Sequence, residues 1–574
     1  MVHSGGIWQK AMSAILIYFF LLSHHGLRTY FDGNDVMNLV GLHGYWRWPW
    51  WRNALKALVI VTPTYRPMGD VFYRLLYGDF GFHPLPFRVA CYALMVLNLG
   101  LFFRFARKLS RCREAALLAT LVFSFHAALS DLYFSTGTVY DILCVCFTLA
   151  AFVNYARVRS SGRELQAKDV VILLLLYGGA LDSKEMAASL PAALVLYEVT
   201  LAPRLPLGRL WRRALPVLLV GLLTLAVMAE KIPSLSDNPA YRPSHSPADL
   251  LANANHYVAM LVFREQPFEP VWLIVLAVLA FVTCIVARRP IALFGLCYGF
   301  IALLPVVTVP ARGGFVLYLP LVGFALFSGE MLAAARQAAQ RLVPLGALPP
   351  SSASFSQAGF FVVLAAGLFV IQSRHLRDQS QDTGRGDAVM RETVAIMRAW
   401  HPTLPAGTRL LFLDDPLPKS EATLLFLIQA AYHDPSLSVE RQKNFATPID
   451  PDEYAIFNYL VSIQDGKLKE RRLPPIRWQD QAVPVTFTPS TVEPGQAIQM
   501  RVATYSDVTV DIEYQTAWRY GKNDAVALRW TNLNTDGVAT IPISHLQDPL
   551  TVQITAVRVS GDIWRKAHGG FVVQ

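Results

Sequence analysis

Long apolar runs separated by short polar gaps fill roughly the first two thirds of the chain. Eleven runs, at about 8–25, 88–104, 115–134, 139–156, 170–183, 186–201, 214–230, 271–287, 291–309, 315–331 and 358–374, come near the ~20 residues a helix needs to cross a bilayer. The fifth and sixth are short. Asp182-Ser183-Lys184-Glu185 separates them, so they also read as one bent hairpin. Past residue 375 the pattern changes. Apolar positions Val389, Val394, Ile396 and Met397 are spaced for a helix over 386–400. A strand over 409–413 and a helix over 420–433 follow, which predicts a small α/β region across 376–480. From 483 the period is two. Seven short strands, at 483–487, 497–503, 508–514, 525–530, 537–543, 550–557 and 570–573, predict an immunoglobulin-like β-sandwich over 481–574. The expected fold is therefore a polytopic α-helical membrane protein of about eleven spans (residues 1–375), then the α/β region and the sandwich.

Composition agrees with this reading. Of the 574 residues 53% are hydrophobic and 16% charged, against about a quarter charged in an ordinary soluble domain. The net charge of +10 is explained by loop lysines and arginines rather than by nucleic-acid binding. Basic clusters follow every even-numbered run: Arg104 to Arg113, Arg157 to Lys168, Arg204 to Arg213, Arg288-Arg289, and Arg336 with Arg341. The positive-inside rule then places the N-terminus in the cytoplasm and the odd loops and C-terminal region outside it. The six cysteines form no disulfide framework or zinc pattern.

The outer loops hold the candidate chemistry. Loop 1, residues 26–87, opens on Tyr30-Phe31-Asp32-Gly33-Asn34-Asp35. Asp32 and Asp35 are three apart, so a helical turn would put them on one face as a candidate general base. The other reading is that Asn34 or Asp35 caps a helix starting at Val36. Tyr45-Trp46-Arg47-Trp48-Pro49-Trp50-Trp51-Arg52 suits the headgroup zone or a grip on a lipid-linked substrate. Tyr65-Arg66-Pro67 and Gly81-Phe82-His83-Pro84 follow. Lys184 and Glu185 end the fifth run, and Arg312-Gly313-Gly314 precedes Leu317-Tyr318-Leu319-Pro320. Each cation suits phosphate; each also suits an interface anchor or a salt bridge. A carboxylate with several cations on one membrane face fits chemistry on a phosphate-linked lipid.

In order and sidedness these motifs resemble GT-C fold membrane glycosyltransferases. The branch is that of the protein O-mannosyltransferases and the TPR-containing membrane mannosyltransferases, here without the TPR array. The resemblance covers residues 1–375 and rests on the loop-1 acids, Tyr65-Arg66-Pro67, Gly81-Phe82-His83-Pro84, Ser183-Lys184-Glu185, and Arg312 with Leu317-Tyr318-Leu319-Pro320. It implies a polyprenyl-phosphate sugar donor and a protein, lipid or glycan acceptor. Transfer would be inverting, on the periplasmic side of a bacterial inner membrane, with a loop-1 Asp as base. Members commonly carry two adjacent acids in loop 1; this chain has Asn34-Asp35, which makes Asp35 the first choice of base and Asp32 the second. Lys184, Arg312 and Arg66 become the donor-phosphate residues, and Glu185, Tyr65, His83 and Tyr318 the substrate-binding ones. The pattern leaves room for a divalent cation, Mg²⁺ or Mn²⁺, but supplies no acidic cluster to hold one. The competing reading is a non-catalytic envelope protein that displays a glycan- or partner-binding sandwich on a degenerate GT-C body.

Overall fold

The computed structural model describes residues 4–42, 66–110, 112–203, 210–236, 242–244, 246–264, 266–342, 350–419, 423–444, 457–471, 483–488, 490–492, 499–502, 509–518, 523–534, 550–559 and 565–573. The aromatic-basic stretch 45–52 and Tyr65 lie outside the described residues. The chain divides into two compact units at other points than the sequence reading set. One comprises residues 1–29, 50–76 and 83–384; the other comprises 30–49, 77–82 and 385–574.

The first unit is helical. Its elements are α1 (Ser4–Ser23), most of α3 (Pro67–Phe80), α4 (Pro84–Ser110), α5 (Arg113–Ser124), α6 (Ser130–Phe134), α7 (Val139–Arg159), α8 (Ala167–Ser183), α9 (Leu190–Thr200), α10 (Leu210–Ser236), α11 (Pro247–Leu261), α12 (Pro270–Val286), α13 (Pro290–Val307), α14 (Tyr318–Leu342) and the first part of α15 (Pro350–Trp400). Among the described residues six helices are long and apolar enough to cross a membrane; α5 and the helical stretch 127–134, which ends in α6, pass the same test only together, bent by 49°, which fits a broken span or a re-entrant loop. The other four predicted runs also contain helices, but their apolar stretches are shorter. Two helices show what lipid contact looks like in sequence. In α12 only Leu273 and Cys284 are buried, and just 11% of the α15 span is buried. Apolar side chains turned outward all round suit hydrocarbon and not water.

The bend at Phe125-His126 frees backbone groups that a bilayer cannot satisfy. Polar side chains take them up. Ala127 N–H donates to Gln372 Oε1 (2.6 Å), and Gln372 Nε2 donates to the Phe125 carbonyl (3.2 Å). His126 N–H donates to the Tyr133 hydroxyl (3.1 Å). Two basic residues from predicted cytoplasmic loops are tied down as well. Arg159 grips Glu198 through Nε (2.7 Å) and Nη2 (2.9 Å), and Arg336 pairs with Glu114.

In the second unit, Asp32 caps α2 (Gly33–Val36), which runs into a π-helical turn, Met37–Leu42. The predicted helix at 386–400 is not separate. It is the end of α15, one helix of 51 residues, because nothing stronger than Gly384 and Gly386 interrupts the polar stretch after the span. Strands β1 (Arg409–Asp414), β2 (Ser438–Arg441) and β3 (Tyr459–Gln464) are parallel in the order β2-β1-β3, and β4 (Lys467–Arg471) adds antiparallel to β3. Helix α16 (Thr423–Tyr432) makes the crossover from β1 to β2 and buries Leu424, Leu425, Leu427 and Ile428. Beyond β1, Arg441 holds the buried Asp415 by Nε (3.0 Å) and Nη2 (2.7 Å).

The C-terminal strands are β5 (Val483–Thr488), β6 (Thr491–Val492), β7 (Gln499–Val502), β8 (Thr509–Trp518), β9 (Asn523–Asn534), β10 (Leu550–Val559), β11 (Arg565–His568) and β12 (Gly570–Val573). They are linked through β10, which pairs with β8 along one edge and with β12 and then β11 along the other. The predicted strand at 537–543 lies outside the described residues. Arg409 of β1 pairs with the buried Glu513 of β8, so the α/β region and these strands form one unit and not two.

Candidate functional site

Within the helical unit, two of the predicted cations converge on consecutive residues of α7. Arg66 immediately precedes α3 and has φ +47°, a conformation that costs energy for any residue but glycine. Its guanidinium lies 5.1 Å over the Tyr140 ring and donates from Nη2 to Glu185 Oε2 (2.8 Å). Lys184 Nζ donates to both oxygens of Asp141, each at 2.6 Å, and lies 4.7 Å over the Phe315 ring. Arg66, Lys184 and Asp141 are all under a tenth exposed. Gly69 lets α3 approach closely, since a Cβ there would fall 2.0 Å from Tyr140 Cε1.

A third cation stands nearby. Lys231 of α10 donates to the Leu181 carbonyl (3.2 Å) and acts electrostatically on Asp182 and Glu185. Asp182 is fully buried, and neither of its oxygens has a hydrogen-bond partner among the described residues. Burial works to raise the Glu185 carboxyl, but Arg66 foremost and Lys231 next outweigh it and hold the pKa at about 2. Glu185 is an anion at neutral pH, and both predicted cations in the cluster, Arg66 and Lys184, already hold a carboxylate.

The other predicted residues fall elsewhere. Arg312 is half-buried, and its backbone N–H donates to the Tyr257 hydroxyl (3.0 Å). The segment reaches Lys184 through Phe315. The second glycine of the pair Gly313-Gly314 admits another part of the protein: a Cβ on Gly314 would fall 1.7 Å from the Ala128 carbonyl oxygen. Tyr318 sits in the helical core, stacked on Phe123 (5.2 Å, 7°), with Asn98 Nδ2 donating to its hydroxyl (3.4 Å). His83 is exposed just ahead of α4. Tyr65 lies outside the described residues.

Asp32 and Asp35 belong to the second unit. They form a reciprocal capping box: Asp35 N–H donates to Asp32 Oδ1 (2.8 Å), and Asp32 N–H donates to Asp35 Oδ2 (3.1 Å). Asp35 is fully buried and Asp32 half-buried. Among the described residues no group of three or more His, Cys, Asp or Glu is placed to hold a metal ion.

Sequence reasoning missed Asp141 and Lys231, and it passed over Asp182 as a separator. The signal was present for Asp141, a lone carboxylate in an apolar run, since ionisable groups inside spans are expensive to keep.

Residues 62–232 match the family model of dolichyl-phosphate-mannose-protein mannosyltransferases. This match bears out the resemblance to GT-C membrane glycosyltransferases. The matched segment contains Arg66, Asp141, Asp182, Lys184, Glu185 and Lys231, and it leaves out Asp32, Asp35 and Arg312. No curated protein sequence matches the chain. Two solved structures are similar to it. The crystal structure of ArnT from Cupriavidus metallidurans bound to undecaprenyl phosphate has 12% identity and TM-score 0.41, covering 80% of this chain and 94% of that one. ArnT in the apo state has 14% identity and TM-score 0.42, covering 80% and 93%.

Proposed function

We propose that the protein transfers a sugar from a polyprenyl-phosphate donor to a hydroxyl-bearing protein, lipid or glycan acceptor on the periplasmic side of the membrane. The observation that carries this is the meeting of the Arg66–Glu185 and Lys184–Asp141 pairs at Tyr140-Asp141, inside the mannosyltransferase-family segment. Buried, held cations suit an oxygen on which negative charge grows as a sugar–phosphate bond breaks. In this reading a base takes the acceptor's hydroxyl proton, the hydroxyl oxygen bonds to the anomeric carbon, and the bond to phosphate breaks with inversion. Polyprenyl phosphate leaves against Arg66, Lys184 and Arg312, the first two exchanging Glu185 and Asp141 for the phosphate.

Asp32 and Asp35 are the proposed base. The half-buried Asp32 is the better placed of the two to meet an acceptor, because Asp35 is wholly covered. The test is sugar transfer by the purified full-length protein in nanodiscs with a short-chain polyprenyl-phosphate donor. We expect turnover by wild type and a loss of about a hundredfold or more in Asp32→Asn or Asp35→Asn. Full turnover in both variants and in their combination overturns the base assignment. No transfer by wild type with any polyprenyl-phosphate sugar favours the non-catalytic binding reading.

A further inference from the structure

The loop that bears Asp32 and Asp35 is held by the C-terminal α/β region, at both ends of a single short helix. At the N-terminal end of α16, Gly33 packs on Thr423: a Cβ on Gly33 would lie 3.5 Å from Thr423 Oγ1 and 3.9 Å from Met390 Cε. At the C-terminal end, the Tyr77 hydroxyl donates to the Ala430 carbonyl (2.9 Å). That hydroxyl also bonds His433 Nδ1 (2.9 Å), and the two rings stack at 5.0 Å and 9°. Tyr77 has one proton and gives it to Ala430, so His433 Nδ1–H is the donor in the second bond.

Contacts close the ring between the two ends. Gly81 N–H donates to the Tyr77 carbonyl (2.8 Å), and Phe82, the next residue, stacks on Phe31 (4.6 Å, 26°), the neighbour of Asp32. Tyr30 meets Phe82 edge-on at 5.9 Å and carries the Arg391 guanidinium 5.5 Å over its ring. The two loop-1 segments, residues 30–42 and 77–82, are therefore joined to each other and to opposite ends of α16.

His433 is an unexpected residue for its position. It follows the last residue of α16 with φ +55°, where glycine carries no side-chain penalty and asparagine little. A histidine there is strained for the sake of its ring, and that ring is spent on Tyr77.

We propose that α16 is the template that positions the Asp32–Asp35 loop, with Tyr77 and His433 as the positioning residues that fasten it. The proposal rests on the reading of that loop as the source of the base. It makes the α/β region part of the transferase machinery and not an appendage to the membrane body. The base-bearing loop would then take its geometry from the C-terminal region of the same chain.

The experiment compares His433→Gly and Tyr77→Phe with wild type in the full-length protein, by amide hydrogen exchange over residues 33–42, thermal unfolding, and transfer kinetics. His433→Gly relieves the left-handed backbone, so a purely structural role predicts an equal or higher Tm and no kinetic change. We expect instead exchange about tenfold faster or more across 33–42 at unchanged Tm. Turnover should fall about ten- to a hundredfold with the KM for donor unchanged. Tyr77→Phe keeps the stack, removes both hydroxyl bonds and should move the same way by less; it carries the comparison should His433→Gly fail to fold. Unchanged exchange in both variants overturns the positioning role, whatever the activity. Faster exchange combined with full turnover in Asp32→Asn and Asp35→Asn overturns the base assignment and leaves the positioning role standing.

Discussion

Asp32 and Asp35 satisfy each other across three residues, whereas Lys184 and Asp141 meet from 43 residues apart and Arg66 and Glu185 from 119. In the loop, each carboxylate accepts a backbone N–H that the short helix would otherwise leave unpaired, which is local chemistry. In the cluster the ion pairs join side chains far apart in the chain, brought in by tertiary packing. The difference governs what a substitution does. The loop can lose a charge and keep its hydrogen bond; the cluster cannot lose a charge without stranding its partner.

The largest effect is therefore expected at Lys184. Lys184→Met leaves Asp141 buried without its cation and should cost about 3–5 kcal/mol, seen as a lower Tm in detergent and a poor folded yield. Adding Asp141→Leu should restore stability, because an apolar pair of similar volume replaces the ion pair at little or no cost. Transfer should stay lost in the double variant. If the double variant is stable and transfers sugar at the wild-type rate, the cluster is scaffolding and the comparison with the loop loses its functional half.

A smaller effect should appear with pH. The Glu185 carboxyl is held at about 2, below its ordinary 4.5, by Arg66 and Lys231 against the opposing effect of burial. A depressed carboxylate pKa contributes stability that is fully present above the ordinary value and is lost as pH falls from 4.5 toward 2. The shift corresponds to about 3 kcal/mol. Wild-type Tm in detergent should fall across that window, and Glu185→Gln should start lower at neutral pH and change less. Parallel curves for the two proteins would show that the Arg66–Glu185 pair contributes nothing to stability.

The sequence made the two regions unequally legible for the same reason. A cap was readable in kind but not in place: it was expected at Asn34 or Asp35 before Val36, whereas Asp32 caps a helix that starts at Gly33, with Asp35 as its reciprocal partner. The ion pairs were half readable. Lys184, Glu185 and Arg66 showed themselves as charges near apolar ends, but no local rule links residue 184 to 141 or 66 to 185. The cations accordingly read as open to phosphate when each already has an anion. Apolar run length located a helix for every predicted span. It could not foresee that α15 would continue through Arg374–Asp387, because a polar stretch without proline neither forbids nor demands a helix. Loop 1 was assigned to the membrane body by its position in the chain, yet its contacts along α16 group residues 30–42 and 77–82 with the C-terminal unit. Contacts with residues beyond 390 leave no trace in a window of twenty.

The smallest effect is the one that sharpens the comparison most. Asparagine caps a helix about as well as aspartate does. Asp32→Asn should therefore keep the bond from Asp35 N–H and change stability by no more than about 0.5 kcal/mol. Asp32→Ala removes that acceptor and should cost about 1 kcal/mol. Thermal unfolding of the two variants, run beside the transfer assay, separates the cap from the base. Equal Tm in wild type and Asp32→Asn, with transfer lost only in the variant, assigns the carboxylate to chemistry over and above its structural bond. Equal transfer in wild type and Asp32→Asn, with stability lost in Asp32→Ala, makes Asp32 a cap alone. The search for a base then moves to Asp35, whose burial requires the loop to open before an acceptor can reach it.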